Sequence, residues 1–177
     1  MQLNTKRLVI RPLTINDKHA LLAYRSDAEA NKYQGWIPKT IDDVETFFGK
    51  LSAGFNVPDT WFQLAVVDKS NYELIGDIGI HFIDEQQVEI GYTIAKQHQG
   101  LGFATEASKA VINYLFGELK KHRITASVDP ENIASFAVLE KLGFRKEAHF
   151  RESLFLNNKW VDDVIYGLLA KEWEIID

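Results

Sequence analysis

Apolar and polar residues alternate clearly in the middle of the chain, as they do in β-strands. Three such segments, 61–68, 73–83 and 87–94, are separated by the polar turns KSNY and DEQQ, which predicts an antiparallel meander. In the third segment the apolar side chains fall on one face, because strand side chains alternate with period two. Glu89 and Thr93 therefore point to the opposite face.

Other patterns precede this meander. Residues 7–11 (RLVIR) predict a first strand. Apolar residues then recur at helical spacing over 15–26 and again after Thr40. Thr40 and Asp43 form an approximate capping box for the second of these helices. We expect that helix to end near Gly54.

The second half of the chain alternates helices and strands. Asp129-Pro130 has the residue types preferred at the cap and first position of a helix, and Gly143 has the type that follows a helix. The order predicts a mixed α/β sheet with helices on both faces. The segments are a helix over 104–119, a strand over 123–129, a helix over 129–142, and strands over 149–157 and 161–170.

Composition and charge are those of a soluble globular protein. Of 177 residues, 46% are apolar and 25% are charged, which fits a single domain over residues 1–177. The net charge of −5 argues against nucleic acid or anionic membranes as partners. No apolar run approaches the roughly 18 residues of a membrane span, so we expect a cytoplasmic protein without a membrane segment. The absence of cysteine excludes disulfides and a cysteine nucleophile.

Residues 97–107 (QHQGLGFATEA) form a glycine-rich turn between a strand and a helix. Glycine lets the backbone approach an anion, and the start of a helix offers free N–H groups at its positive end. The segment predicts a phosphate or diphosphate site, although an ordinary strand-to-helix loop fits the glycines equally well. The dinucleotide fingerprint fails at Thr105, where it needs Gly or Ala, and the Gly-Lys-Ser/Thr ending of a P-loop is absent.

This turn resembles the signature of the GNAT superfamily of acetyl-CoA-dependent N-acyltransferases. That signature is Gln or Arg, two residues, Gly, one residue, and Gly or Ala. Gln99, Gly102 and Ala104 satisfy it in order. Gln97, Gly100 and Gly102 satisfy it in a register shifted by two. The first register is preferred, because it ends where the helix is expected to begin.

The resemblance covers nearly the whole chain and is strongest to the branch that includes the ribosomal-protein N-terminal (alanine/serine) acetyltransferases. Residues 89–107 are similar to that branch's strand, loop and helix, and 132–144 (NIASFAVLEKLGF) to its second signature. Residues 7–14 resemble its first strand, and 159–173 its last strand and tail. The match is weakest over 16–59.

This resemblance implies a GNAT-like acyl-CoA N-acyltransferase fold, with a mostly antiparallel mixed sheet, a splayed parallel strand pair and helices on both faces. It also implies acetyl-CoA as cosubstrate, with its arm between the strand that ends at Ile94 and the strand at 123–129. By position in the family, the arm would contact Tyr92, Thr93, Ile94 and Asn132, and the diphosphate would lie against Gln99, Gly100, Gly102, Phe103, Ala104 and Thr105.

Two residues are candidates for catalysis by direct attack of an amine in a ternary complex. Glu89 lies on the strand that would hold the thioester and is the candidate base, unless it is simply a solvated carboxylate. Many GNAT enzymes protonate the leaving thiolate with a tyrosine, at the position that is Leu139 here. Ser135 shares that helical face and is the candidate acid, with a local helix hydrogen bond as the alternative.

Aromatic residues near the first helices suggest an acceptor pocket. Tyr33, Trp36 and Trp61 are the candidates, and membership of the core is the alternative for each. The five histidines show no paired metal spacing, so we expect no metal.

The sequence therefore predicts an N-acetyltransferase that acts on a primary amine, either a protein N-terminus or a small molecule. Aminoglycoside and polyamine acetylation remain open, because the acceptor region is the least matched part. The alternative from another class is a sensor or scaffold that binds acetyl-CoA without turnover. A homodimer is a further expectation, because exposed sheet edges often pair.

Overall fold

The computed structural model describes residues 1–174 and is built around a sheet of eight strands. The strands are β1 (Leu3–Asn4), β2 (Leu8–Pro12), β3 (Thr60–Asp68), β4 (Leu74–Phe82), β5 (Gln87–Ile94), β6 (Arg123–Val128), β7 (Arg145–Leu156) and β8 (Lys159–Leu169). Their order across the sheet is β1-β2-β3-β4-β5-β6-β8-β7. The β5–β6 pair is parallel, and the other neighbouring pairs in this part of the chain are antiparallel.

Helices cover both faces of the sheet. They are α1 (Lys18–Arg25), α2 (Ile41–Phe48), α3 (Phe103–Gly117) and α4 (Ile133–Lys141). Val111 of α3 and Leu139 of α4 are fully buried in the main apolar cluster. Leu21 of α1 and Val44 of α2 are buried in a second cluster on the opposite face. No helix within residues 1–174 is long and apolar enough to cross a membrane.

The predicted meander is confirmed, and so is the mixed α/β architecture with a parallel pair. In the β4–β5 pair, Ile80 lies opposite Ile90 and His81 lies opposite Glu89. Ile80 and Ile90 are buried on the side of α3, whereas His81 and Glu89 lie on the other face. The alternation of apolar and polar residues therefore sets the direction of the Glu89 side chain, as the sequence predicts.

The helix over 129–142 begins later than predicted. Asp129 accepts a hydrogen bond from the amide of Glu131 and so closes a short turn rather than capping the helix. Asn132 is the actual cap, because its side-chain oxygen accepts from the amide of Ser135 at 3.2 Å. The helix therefore starts at Ile133, which places Ser135 in its first turn.

Three other boundaries differ from the prediction. The short strand β1 was not predicted, and it pairs Leu3 with Ile10 of β2. The second helix ends at Phe48, well before Gly54, and successive turns follow it. The first strand of the last hairpin begins at Arg145 rather than at residue 149, and its many exposed side chains conceal the alternation.

The parallel strands β5 and β6 are hydrogen-bonded to each other only over their first residues. Three residue pairs form the ladder, and Glu89 opposite Thr125 is the last. Beyond them β5 continues to Ile94 and β6 to Val128 without pairing to each other. The sheet therefore contains a gap between two neighbouring strands, next to the α4 helix.

Candidate active site

A cavity of about 670 Å³ opens beside the end of β5. The loop that leads into α3, the first turns of α3 and α4, and residues 29–34 close the rest of it. Ligand pockets in proteins commonly measure about 300–1,000 Å³, so a cofactor-sized molecule fits this cavity.

The glycine-rich loop forms one wall of the cavity. Gly100 and Gly102 have φ angles of +74° and +80°, which are the left-handed conformations that residues with a Cβ avoid. The side chain of Gln99 donates a hydrogen bond to the carbonyl of Ile94 at 2.9 Å, and so ties the loop to the end of β5. Gly102 caps α3, so the free amides of the first helical turn begin at Phe103. This is the geometry of an anion site.

A smaller cavity of about 70 Å³ lies in the gap between β5 and β6. Ile90 and Gly91 line it from β5, and Ser127 lines it from β6. The residues that line both cavities are Tyr33, Gln34, Tyr92, Asn132 and Ser135. The two cavities are therefore adjacent, and they meet where the strands separate.

Thr93 carries a buried hydroxyl in the wall of the larger cavity. The residue is 7% exposed, and its Oγ1 has no hydrogen-bond partner within residues 1–174. Buried polar atoms are nearly always hydrogen-bonded, so an unpaired hydroxyl in a cavity wall is suited to bonding a ligand. This observation fits a polar, amide-containing chain such as pantetheine.

Glu89 is half-buried at the last rung of the β5–β6 ladder, opposite His81 on β4. Burial raises the pKa of its carboxyl, nearby His81 lowers it, and the negative charge of Asp163 raises it further, so that the net shift is upward. Asp163 is itself 9% exposed and accepts a hydrogen bond from Ser127 at 2.7 Å. A carboxyl with a raised pKa is a better proton acceptor, which suits a general base.

The first turn of α4 faces the smaller cavity. Asn132, Ser135 and Leu139 all line it, as their helical spacing predicts. The Tyr92 hydroxyl donates to the backbone carbonyl of Ser135 at 3.1 Å. Burial raises the pKa of Tyr92, so its phenol stays protonated near neutral pH. Leu139 is fully buried and contributes no hydroxyl.

The three aromatic candidates for the acceptor pocket separate in the structure. Tyr33 lines both cavities. Trp36 stacks on Phe47 with 4.3 Å between ring centroids, and it packs against the second apolar cluster. Trp61 is 42% exposed and stacks on His81, 4.9 Å away, on the sheet face that carries Glu89.

The structure brings most of the predicted site residues together, but not all of them. Glu89 lies next to Ile90 and Gly91, which line the smaller cavity, but is not itself in the wall of either cavity. Trp36 and Trp61 line neither cavity; Trp36 packs against the second apolar cluster instead. The predicted residues in the wall of the larger cavity are Tyr33, Tyr92, Thr93, Ile94, Gln99, Gly100, Gly102, Phe103, Ala104, Thr105, Asn132 and Ser135.

Tyr33 is the one residue of 29–34 that was predicted as a site residue; the other residues of this segment in the cavity wall were not predicted. Gln34 lines both cavities and contacts Arg25, which forms a buried ion pair with Asp77 on β4. The segment lies in the least matched part of the chain. Its position depends on contacts that join residues about 50 positions apart, which no local pattern reveals.

Histidines do not form a metal site in the described part of the chain. No group of three or more His, Asp or Glu side chains within residues 1–174 is arranged to hold a metal ion. His98 lines the larger cavity and lies edge-on to Phe103, with its Nε2 3.7 Å from a carboxylate oxygen of Glu73.

Comparisons with known proteins find relatives over nearly the whole chain. A family model described as an acetyltransferase (GNAT) domain matches residues 7–145. The uncharacterized N-acetyltransferase YnaD of Bacillus subtilis is 35% identical, over 98% of this chain and 99% of its own. The [ribosomal protein uS5]-alanine N-acetyltransferase of Escherichia coli is 27% identical, over 98% of this chain and 93% of its own. A spermidine N-acetyltransferase from Vibrio cholerae, solved with CoA and spermine, superposes with a TM-score of 0.82 at 24% identity, over 95% of this chain and 98% of that one.

Proposed function

This chain belongs to the GNAT family of acetyltransferases, and we propose that it transfers the acetyl group of acetyl-CoA to a primary amine in a ternary complex. The observation that carries the proposal is the cavity between the glycine-rich loop and the separated ends of β5 and β6. It offers amide donors for a diphosphate and unpaired strand backbone for an extended arm.

The residues around the larger cavity suit each part of acetyl-CoA. The amides at the start of α3 would bind the diphosphate, together with Gly100 and Gly102. The unpaired hydroxyl of Thr93 and the side chain of Asn132 would bond the pantetheine amides. Acetyl-CoA supplies the acetyl thioester, which would lie where the two cavities meet.

The amine must lose a proton before it attacks, because its unperturbed pKa is about 8 for an α-amine and about 10.4 for a lysine side chain. Glu89 is the proposed acceptor of that proton. It lies beside the smaller cavity rather than in it, so a water molecule would carry the proton between the amine and the carboxylate. Direct attack is the simplest route, because the chain has no cysteine to form an acyl intermediate.

Ser135 is the proposed acid for the departing thiolate. It lines the junction of the two cavities, and Leu139 supplies no hydroxyl on the same helical face. The hydrogen bond from Tyr92 goes to the Ser135 carbonyl, so it does not depend on the serine side chain.

Replacement of Ser135 by alanine is expected to lower kcat about tenfold, which is less than the usual effect of about 100-fold or more for acid–base catalysis, because a thiolate with a pKa of about 8.5 leaves readily. Steady-state release of free thiol from acetyl-CoA measures this effect. The control is Ser70→Ala, which removes an exposed hydroxyl in the β3–β4 turn. If kcat for Ser135→Ala equals that of the control, Ser135 does not serve as the acid.

Two features support a cationic amine as acceptor. Glu89 and the nearly buried Asp163 put negative charge on the sheet face next to the smaller cavity. The net charge of the chain is also negative, at −5. The ribosomal-protein alanine N-acetyltransferase and the spermidine N-acetyltransferase to which this chain is similar both act on amines. A peptide N-terminus and a small polyamine are therefore the two acceptor classes to test.

The test is calorimetric titration with acetyl-CoA and with desulfo-CoA, followed by a free-thiol assay over a panel of peptide N-termini, polyamines and aminoglycosides. We expect micromolar binding of acetyl-CoA and thiol release with at least one amine. Omission of the amine is the control for slow hydrolysis.

Each outcome decides the proposal. Release of thiol with an amine supports the transferase and identifies the acceptor class. Tight binding without release on any amine would favour a sensor of acetyl-CoA, a reading that the missing tyrosine at Leu139 keeps open. Absence of binding would overturn the proposed function.

A further inference from the structure

Arg7 immediately precedes β2 and reaches across to the glycine-rich loop, 94 positions away in sequence. Its Nη1 donates to the carbonyl of Leu101 at 2.9 Å, between the two glycines of positive φ. Its guanidinium also lies over the ring of Phe103, 4.2 Å from the centroid. Arg7 therefore contacts the loop and the first residue of α3 from the side of the N-terminal strands.

The other partner of Arg7 is Glu106, in the first turn of α3. The Arg7 Nε donates to one carboxylate oxygen at 2.6 Å, and the Arg7 amide donates to the other at 2.9 Å. The Thr5 hydroxyl donates to that second oxygen at 2.6 Å. Burial alone would raise the pKa of Glu106, but the hydrogen bonds from Thr5 and Arg7 outweigh burial and lower it.

Glu106 thus remains ionised close to the expected diphosphate site. A carboxylate in the first turn of a helix interacts with the same positive helix end that a bound anion uses. Two negative groups at one helix end repel each other, unless a positive charge lies between or beside them. Arg7 supplies that charge. Its guanidinium lies against Gly102, because a Cβ placed on that glycine would be 3.6 Å from Arg7 Nη2.

We propose that Arg7 is a positioning residue for the cosubstrate, which holds the glycine-rich loop open for the diphosphate and neutralises Glu106 beside it. The inference rests on the proposed function, because it takes the loop as the diphosphate site. It assigns a binding role to the N-terminal strands, which contribute no residue to the cavity wall.

The first test is binding of CoA to Arg7→Met by calorimetry. We expect the Kd for CoA to rise about tenfold, because the glycine-rich loop loses the charge-assisted contact with Arg7 that positions it. Glu106→Gln alone should leave the Kd within about twofold, because it removes the charge that Arg7 balances. The double variant should recover most of the loss and end at about threefold, because only the contacts of Arg7 to Leu101 and to the ring of Phe103 are then missing.

Arg11, on the adjoining strand β2, offers a control. Its guanidinium forms a bidentate ion pair with Asp17 at 2.7 and 2.8 Å, away from the cavity, whereas the Arg7 guanidinium binds Glu106 through Nε alone. The arginine side chains of the two ion pairs have similar exposure. Arg11→Met should therefore lower the unfolding temperature about as much as Arg7→Met does, while the Kd for CoA stays unchanged.

A second control separates the diphosphate from the rest of the cosubstrate. S-acetylpantetheine has the thioester arm but no diphosphate. With a reactive amine, the KM for acetyl-CoA should rise about tenfold in Arg7→Met, whereas kcat and the KM for S-acetylpantetheine should stay within about twofold.

The outcomes are distinct. No binding of CoA to the unchanged protein would overturn the proposed function itself. Binding that is equal in Arg7→Met and the unchanged protein, or equally weakened in Arg11→Met, would overturn only the role of Arg7. If Arg7→Met does not fold, Arg7→Lys is measured instead. Lysine keeps the positive charge but lacks the planar guanidinium group, so the Kd of Arg7→Lys for CoA should rise about threefold. An unchanged Kd would contradict the proposal.

Discussion

Replacement of Glu89 by glutamine is expected to lower kcat/KM for the amine by about 100-fold, at the lower end of measured effects of a general base. Glutamine keeps the size of the side chain and removes its ability to accept a proton. Binding of acetyl-CoA should not change, because Glu89 does not line the larger cavity. Calorimetry and steady-state thiol release on one preparation separate the two quantities.

The pH profile provides the stronger evidence for this role. Burial and the charge of Asp163 raise the pKa of the Glu89 carboxyl, so the active carboxylate is lost as the pH falls through that raised value. Protonation of the amine lowers kcat/KM in every variant as the pH falls, but the unchanged protein should show an additional acidic decline that Glu89→Gln lacks. Glu85→Gln, on the exposed turn before β5, is the control and should keep the decline. If both variants match the unchanged protein, Glu89 is not the base.

Replacement of Asp77 by alanine should lower the free energy of unfolding by about 3–5 kcal/mol, as removal of one partner from a buried ion pair does. Asp77 is fully buried on β4 and binds Arg25 through two hydrogen bonds of 2.6 and 3.0 Å. It also accepts hydrogen bonds from Tyr24 at 2.5 Å and from Gln63. Urea denaturation followed by circular dichroism measures the loss.

Two further variants test the cause of this loss. In Asp77→Ala with Arg25→Met no charge is left unpaired, so the double variant should be more stable than Asp77→Ala alone. Asp17→Ala breaks the partly exposed pair with Arg11 and should cost only about 1 kcal/mol. A cost for Asp77→Ala as small as that for Asp17→Ala would mean that the buried pair does not stabilise the fold.

Strand alternation was enough to predict the meander at the centre of this fold, and loop composition indicated an anion site at the glycine-rich turn. The gap between the two parallel strands was implied by the family resemblance. The apolar row on β5 sets which side chains face the core, and so places Glu89 on the other face. The two left-handed glycines mark a turn that only glycine adopts easily, and Gly100 and Gly102 have that conformation. Both signals are local, which is why the sequence alone carries them.

The parts that could not be predicted depend on contacts between distant residues. The carboxylate of Glu106 resembles any exposed acid in a first helical turn until Arg7 is placed beside it, 99 positions away. Asp129 and Asn132 are both suitable caps, and only the folded backbone decides that Asn132 takes that role. The position of Gln34 depends on the buried pair between Arg25 and Asp77 in the same way.

The gap between β5 and β6 would also make the free energy of unfolding depend on a bound ligand. Where β5 and β6 are not paired, their backbone N–H and C=O groups are available to another extended chain. A bound pantetheine arm would form hydrogen bonds with them, as a neighbouring strand does. A ligand that binds only the folded state adds about 2.7 kcal/mol of stability at one hundred times its Kd. The free energy of unfolding would then rise with the concentration of acyl-CoA, so the fold would be least stable where that ligand is scarce.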